Sequence, residues 1–156
     1  MTFTSKFLGA TAVLALTAGA VSADPAVLFD LGGKFDKSFN ESAYNGAQRW
    51  AEETGGSYGE VEIQSDAQRE QAIRRFAERG ANPIVMAGFS WATALNEVAA
   101  DFPDTKFQII DMVVEQPNVR SIVFAEEQGS YLVGMLAAMA SESGTVGFIG
   151  GMDIPL

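Results

Sequence analysis

The stretch Ala26-Val27-Leu28-Phe29-Asp30-Leu31-Gly32-Gly33-Lys34-Phe35-Asp36-Lys37-Ser38-Phe39-Asn40-Glu41 decides the fold. Its first six residues are an almost unbroken apolar run closed by two glycines, as in a strand buried on both faces. Ser38 and Glu41 follow at capping-box spacing, with Ser at the N-cap and Glu three residues on. Tyr44, Ala47, Trp50 and Ala51 then recur at three- and four-residue spacing, which predicts a helix stopped by Gly55-Gly56.

The alternation continues toward the C-terminus. Val61-Glu62-Ile63 reads as a second strand, and Ser65 to Gln68 as a second capping box ahead of a helix with Ile73, Phe76 and Ala77 on one face. Pro83 to Gly88 is a third strand. Ser90 is placed to cap a helix carrying Leu95, Val98, Ala99 and Phe102. Phe107 to Asp111 is a fourth strand, Val119 to Phe124 a fifth, and Val146 to Ile149 a sixth, preceded by a helix from Gln128 to Ser143 with Tyr131, Leu132, Met135, Leu136 and Met139 on one side. Strands separated by helices imply right-handed βαβ units and an α/β fold with a doubly wound parallel sheet.

Composition removes whole classes of chemistry. The 156 residues include no His and no Cys, so a Ser-His-Asp triad, an imidazole-based zinc site, a thiol nucleophile and a disulfide are all excluded. Twenty acidic side chains face ten basic ones, a formal charge of −10, which argues against nucleic acid as a partner because phosphate backbones demand Lys and Arg.

The N-terminus reads as an address. Lys6 precedes an uncharged small and apolar run from Phe7 to Val21, which ends in Val21-Ser22-Ala23 and is followed at once by Asp24-Pro25. A basic start, a short apolar core and a small-x-small exit describe a cleaved secretory signal, residues 1–23. The run is short for a spanning helix, which needs about 20 apolar residues. Cleavage removes Lys6 and no acid, leaving 9 basic against 20 acidic side chains and a charge of −11. With no cysteine to lipidate, the expected product is soluble in a periplasm.

Open parallel sheets bind ligands beyond the carboxyl ends of their strands, where the strand order reverses. That rule selects the loop Gly32 to Asn40, the turn Gly88 to Trp91, and Asp111. Rings, carboxylates, an amide and hydroxyls gathered there suit a flat, uncharged, hydrogen-bonding ligand. Plainer roles compete: Asp36 can complement a helix dipole, Phe39 and Trp91 can pack, Asp111 can simply end a strand, and Ser38 and Ser90 can serve as caps. Gly32-Gly33-x-Phe35 is not a dinucleotide fingerprint, and no phosphate loop occurs. Asp30, Asp36 and Asp111 leave open an exported metal-dependent enzyme or a phosphoryl-accepting domain.

Several segments resemble the basic membrane protein family of ABC-importer substrate-binding proteins, which includes purine nucleoside receptors. They are Gly33 to Ala43, Gly88-Phe89, Phe107 to Asp111, Phe124-Ala125-Glu126-Glu127-Gln128-Gly129-Ser130-Tyr131-Leu132-Val133-Gly134, and Val146 to Pro155. The resemblance implies a type 1 periplasmic binding protein fold, two α/β lobes that close on a nucleoside and deliver it to an ABC permease in the inner membrane. It implies no catalysis, no cofactor and no metal. Carried onto this chain, the first-lobe ligand-binding candidates are Phe35, Asp36, Phe39, Asn40, Phe89, Ser90 and Asp111. A receptor for another small ligand that serves a chemosensor is the alternative within the binding class. Relatives of this kind are about twice this length, in keeping with two domains. The expected organisation is therefore a signal (1–23), an N-terminal lobe (24–124), and a hinge with the beginning of a second lobe (125–156). An incomplete second lobe leaves the Tyr131–Met139 stripe without a full partner, and these 156 residues alone are expected to bind ligand weakly or not at all.

Overall fold

The computed structural model describes residues 23–151. The segment read as a signal lies outside them apart from Ala23. Among the described residues, no helix is long and apolar enough to cross a membrane. Five parallel strands form one sheet: β1 (Ala26–Phe29), β2 (Gly59–Glu62), β3 (Ile84–Ala87), β4 (Phe107–Ile110) and β5 (Val119–Ile122), ordered β2-β1-β3-β4-β5. The α-helices are α1 (Phe39–Thr54), α2 (Arg69–Glu78), α3 (Ala92–Ala99) and α4 (Glu126–Ala140). Single 3₁₀ turns, Asp66–Gln68 and Phe89–Trp91, lead into α2 and α3.

Sequence order and sheet order together explain the layers. The crossover from β1 to β2 runs one way and that from β2 to β3 runs back, so right-handed connections place α1 and α2 on opposite faces. On the α2 side, alternate strand residues Leu28, Ile84, Met86 and Ile109 meet Ile73, Phe76, Leu95, Val98 and Trp91 in the core. Leu28, Ile73, Ile84, Met86, Trp91, Leu95, Val98 and Ile109 are fully buried. Each such side chain contributes about 1.5–3 kcal/mol relative to exposure, so this layer carries most of the lobe's stability.

The other face is thinner. In α1 only Asn40 is buried, and Trp50 remains 39% exposed. Beside α1 runs an apolar groove of about 660 Å³, lined by Val27, Ala47, Trp50, Val85 and Ile110 among others. The helical face read from Tyr44, Ala47, Trp50 and Ala51 thus rests on β1 and β3.

Four expectations need correction. Val146 to Ile149 forms no strand; Phe148 and Ile149 are 93% and 98% exposed, and among the described residues no strand neighbours them to share a ladder. The helix expected from Gln128 to Ser143 runs instead from Glu126 to Ala140, and β5 stops at Ile122. Finally, Ser38, Ser65 and Ser90 make no side-chain capping bond. No residue of α4 is buried, so its apolar stripe faces solvent along its whole length.

Candidate functional site

Strand order places the switch point between β1 and β3, where the chain leaves in opposite directions. Leu28 pairs with Met86, and Met86 with Ile109. Continuing that register by two residues aligns Asp30, Gly88 and Asp111 in one row across the carboxyl ends of β1, β3 and β4. With strands about 4.8 Å apart, Asp30 and Asp111 stand roughly 10 Å from each other.

The first loop is held from within. Asn40 is 2% exposed. Its Oδ1 accepts the backbone N–H of Asp30 at 3.0 Å, and its Nδ2 donates to the carbonyls of Asp30, Leu31 and Gly33 at 3.1–3.4 Å. The whole amide is therefore spent on loop backbone. Asp36 does the capping that Ser38 was expected to do: its carboxylate accepts the backbone N–H groups of Ser38, Asn40 and Glu41 at 2.8, 3.0 and 3.1 Å. Burial works to raise the Asp36 carboxyl, but the bonds from Asn40, Glu41 and Ser38 outweigh it and hold the group below its ordinary value. On the outer side Lys34 pairs with Glu60, its backbone N–H reaches Glu62 Oε2 at 3.0 Å, and its ammonium lies 5.5 Å and 5.0 Å from the Phe35 and Tyr44 rings.

A loop fixed in this way can leave large rings in water. Phe35 is 63% exposed, edge-on to Tyr44 with ring centres 5.2 Å apart, and Phe39 is 39% exposed. Of the first-loop candidates, these two rings are the ones with free surface to offer a ligand.

Ser90 joins the first loop to the β3 turn. Its Oγ donates to Asp30 Oδ2 at 2.6 Å, which accounts for its absence as a cap. Gly88 allows the approach: its φ is +112°, and a Cβ there would stand 2.9 Å from Asp30 Oδ2. The other Asp30 oxygen accepts the Leu31 N–H and a bond from Arg69 Nη2, both at 2.7 Å. The same Nη2 reaches Asp66 at 2.8 Å, and the guanidinium lies 5.0 Å from the centre of the buried Trp91 ring. Arg69 Nη1 and Trp91 Nε1 are buried donors without a partner among the described residues. Phe89 is half-buried at the start of the same turn.

Asp111 stands apart from this cluster. Its backbone is left-handed (φ 74°), its N–H donates to Ile122 O at 2.7 Å, and it lines a groove of about 670 Å³ with Met112, Val113, Val123, Phe124, Glu126 and Glu127. Partial burial, and then the charge and hydrogen bonding of Glu126, raise its carboxyl above the ordinary value.

The structure thus brings Asp36, Asn40, Asp30 and Ser90 into one bonded unit, with Phe35 and Phe39 on its surface and Asp111 two strands away. Arg69 escaped the sequence reading. A signal was present, because Arg69 shares the spacing of Ile73, Phe76 and Ala77 and so lies on the apolar face of α2. Neither this unit nor Asp111 forms a group of three or more acidic side chains able to hold a metal, among the described residues.

Comparison with known proteins agrees with this architecture. The family model described as ABC transporter substrate-binding protein PnrA-like matches residues 23–156, and the chain belongs to that Bmp family. An uncharacterized lipoprotein of Pyrococcus furiosus is 41% identical over 139 residues, covering 83% of this chain and 34% of that protein. The ABC transporter nucleoside-binding protein BmpA of Lactococcus lactis is 34% identical over 144 residues, covering 88% of this chain and 41% of its own length. The crystal structure of an ABC transporter solute-binding protein from Aeropyrum pernix superposes with a TM-score of 0.70 at 38% identity, over 74% of this chain and 32% of that one. The chain therefore spans about a third to two fifths of the length of these relatives.

Proposed function

We propose that this chain supplies the first-lobe wall of a nucleoside-binding cleft in an extracytoplasmic receptor of an ABC importer, with purine nucleosides as the favoured ligands. The observation that carries the reading is the pair of exposed rings, Phe35 and Phe39, on a loop immobilised by Asn40 and Asp36 at the switch point of the sheet. A planar base gains stacking energy from such rings, and Asp111 offers an acceptor at the far end of the same row. The lactococcal relative named as nucleoside-binding supports the ligand class.

In this reading the ligand is captured and released without covalent change. A second lobe beyond the hinge at Ala125-Glu126-Glu127 closes over the base, and the closed form is presented to a membrane permease. Of Asp30, Asp36 and Asp111, the carboxylates on which an enzymatic alternative would rest, the first two are already engaged by Arg69, Ser90 and backbone N–H groups.

Titration calorimetry of the full-length protein with adenosine, guanosine, inosine and uridine tests the proposal. Saturable purine nucleoside binding at one site supports it. Binding confined to other solutes, or none at all, contradicts it.

A further inference from the structure

We propose that Arg69 is a positioning residue that makes the two site loops one rigid wall. It rests on the binding reading above for its purpose, but not for its geometry. Arg69 opens α2, on the far side of the sheet from α1, yet its guanidinium reaches under both loops, and the residue is 6% exposed. One nitrogen, Nη2, bonds Asp30 at the end of β1 and Asp66 in the turn before α2, at 2.7 and 2.8 Å. Asp30 in turn takes the Ser90 hydroxyl from the β3 turn at 2.6 Å and donates its own N–H to Asn40 at 3.0 Å. The guanidinium also lies against Trp91, the residue that follows Ser90 and is completely buried.

Each of these links alone ties neighbours; together they form a chain from α1 through Asn40, Asp30 and Ser90 to the start of α3, with Arg69 as the one cation in it. A guanidinium is suited to this place because one of its nitrogens serves both carboxylates while its planar face lies against the Trp91 ring, a contact that a lysine ammonium cannot reproduce. Without it, Asp30 is a half-buried carboxylate facing no cation, and the contact that holds the loops together weakens at its centre.

Amide hydrogen exchange on the full-length protein, without ligand, reads this directly. Arg69→Met is expected to speed exchange at least tenfold in both segments, 31–40 and 88–91, while β4 and the later turns of α3 stay within about twofold. Arg69→Lys is expected to give an intermediate effect in both segments, and Ser90→Ala to uncouple 88–91 while leaving Asp66 and α2 unchanged. If Arg69→Met fails to fold, the lysine and serine variants decide. In the Arg69 variants, unchanged loops, a change in one loop only, or a uniform loosening of the whole lobe would each overturn the proposal, as would an unchanged 88–91 segment in Ser90→Ala. Nucleoside binding forms a separate arm. Where the wild type binds, Arg69→Lys should raise Kd about tenfold, mainly through faster dissociation. A wild type that binds no nucleoside refutes the functional reading, whereas the exchange arm still stands or falls by itself.

Discussion

The carboxylate of Asp36 accepts the backbone N–H of Asn40 at 3.0 Å, and Asn40 in turn holds the backbone of Asp30 ten residues earlier. One short acidic side chain thus starts α1 and fixes the residue that shapes the whole first loop. Because its hydrogen bonds hold the Asp36 carboxyl low, its contribution to stability is present above the unfolded-state pKa and is lost as pH falls through the folded one. Asp36→Ala should therefore lower Tm at pH 7, and its deficit against the wild type should close below about pH 4, near the reference carboxylate pKa. Thermal melts of both proteins across that range check the sign.

Asn40 should be costlier to lose than its exposed neighbours. Its truncation leaves the Asp30 N–H and up to three carbonyls without their partner in a part-buried setting. Asn40→Ala is expected to destabilise by about 1–3 kcal/mol, the range for orphaned buried polar groups. Urea unfolding measures it. Asn40→Asp, which keeps the acceptor and loses the donors, should recover only part of the loss.

Asp111 titrates in the opposite sense to Asp36. Burial and the neighbouring Glu126 raise its carboxyl, so the folded state binds a proton more readily than the unfolded one. Ionising Asp111 therefore costs stability, and the cost appears as pH rises through the window between the unfolded and folded values. Asp111→Asn should be more stable than the wild type at pH 7 and equal to it near pH 3. Glu126→Gln should bring the Asp111 carboxyl back toward its ordinary value, visible as a shifted midpoint in an NMR carboxyl titration.

The α4 stripe predicts association. Tyr131, Leu132, Met135, Leu136 and Met139 are 45–79% exposed, a contiguous apolar surface of the kind that drives self-association. Replacing Leu132 and Leu136 with Glu should reduce the light scattering and dye binding of the 156-residue chain while leaving the melting of the β1–β5 sheet in place.

Strands β1, β3 and β4 were legible because each is a short, mostly apolar run between turn residues, and they fall where Ala26–Phe29, Ile84–Ala87 and Phe107–Ile110 read as buried, whereas β2 and β5 interleave charged or polar residues with apolar ones. The caps were less so. A Ser three residues before Glu satisfies the capping pattern at Ser38, but Asp36, two residues earlier, folds back with two oxygens and takes the same N–H groups. Ser90 was read as a cap for a similar reason; its hydroxyl is drawn sixty residues away to Asp30, a contact that only the sheet order creates. Val146 to Ile149 has the composition of a strand and lacks a neighbouring strand among the described residues, which local pattern does not encode. Phe35, which follows two glycines in the first loop, is 63% exposed.

The most direct test of the ligand's placement is calorimetry of the full-length protein with a purine nucleoside, wild type beside Phe35→Ala. Removing the ring should weaken binding by about 1–3 kcal/mol, the scale of stacking one base on one aromatic side chain, with Tm little changed. Equal affinities for the two proteins would contradict the stacking role of Phe35 and with it the placement of the ligand on this wall.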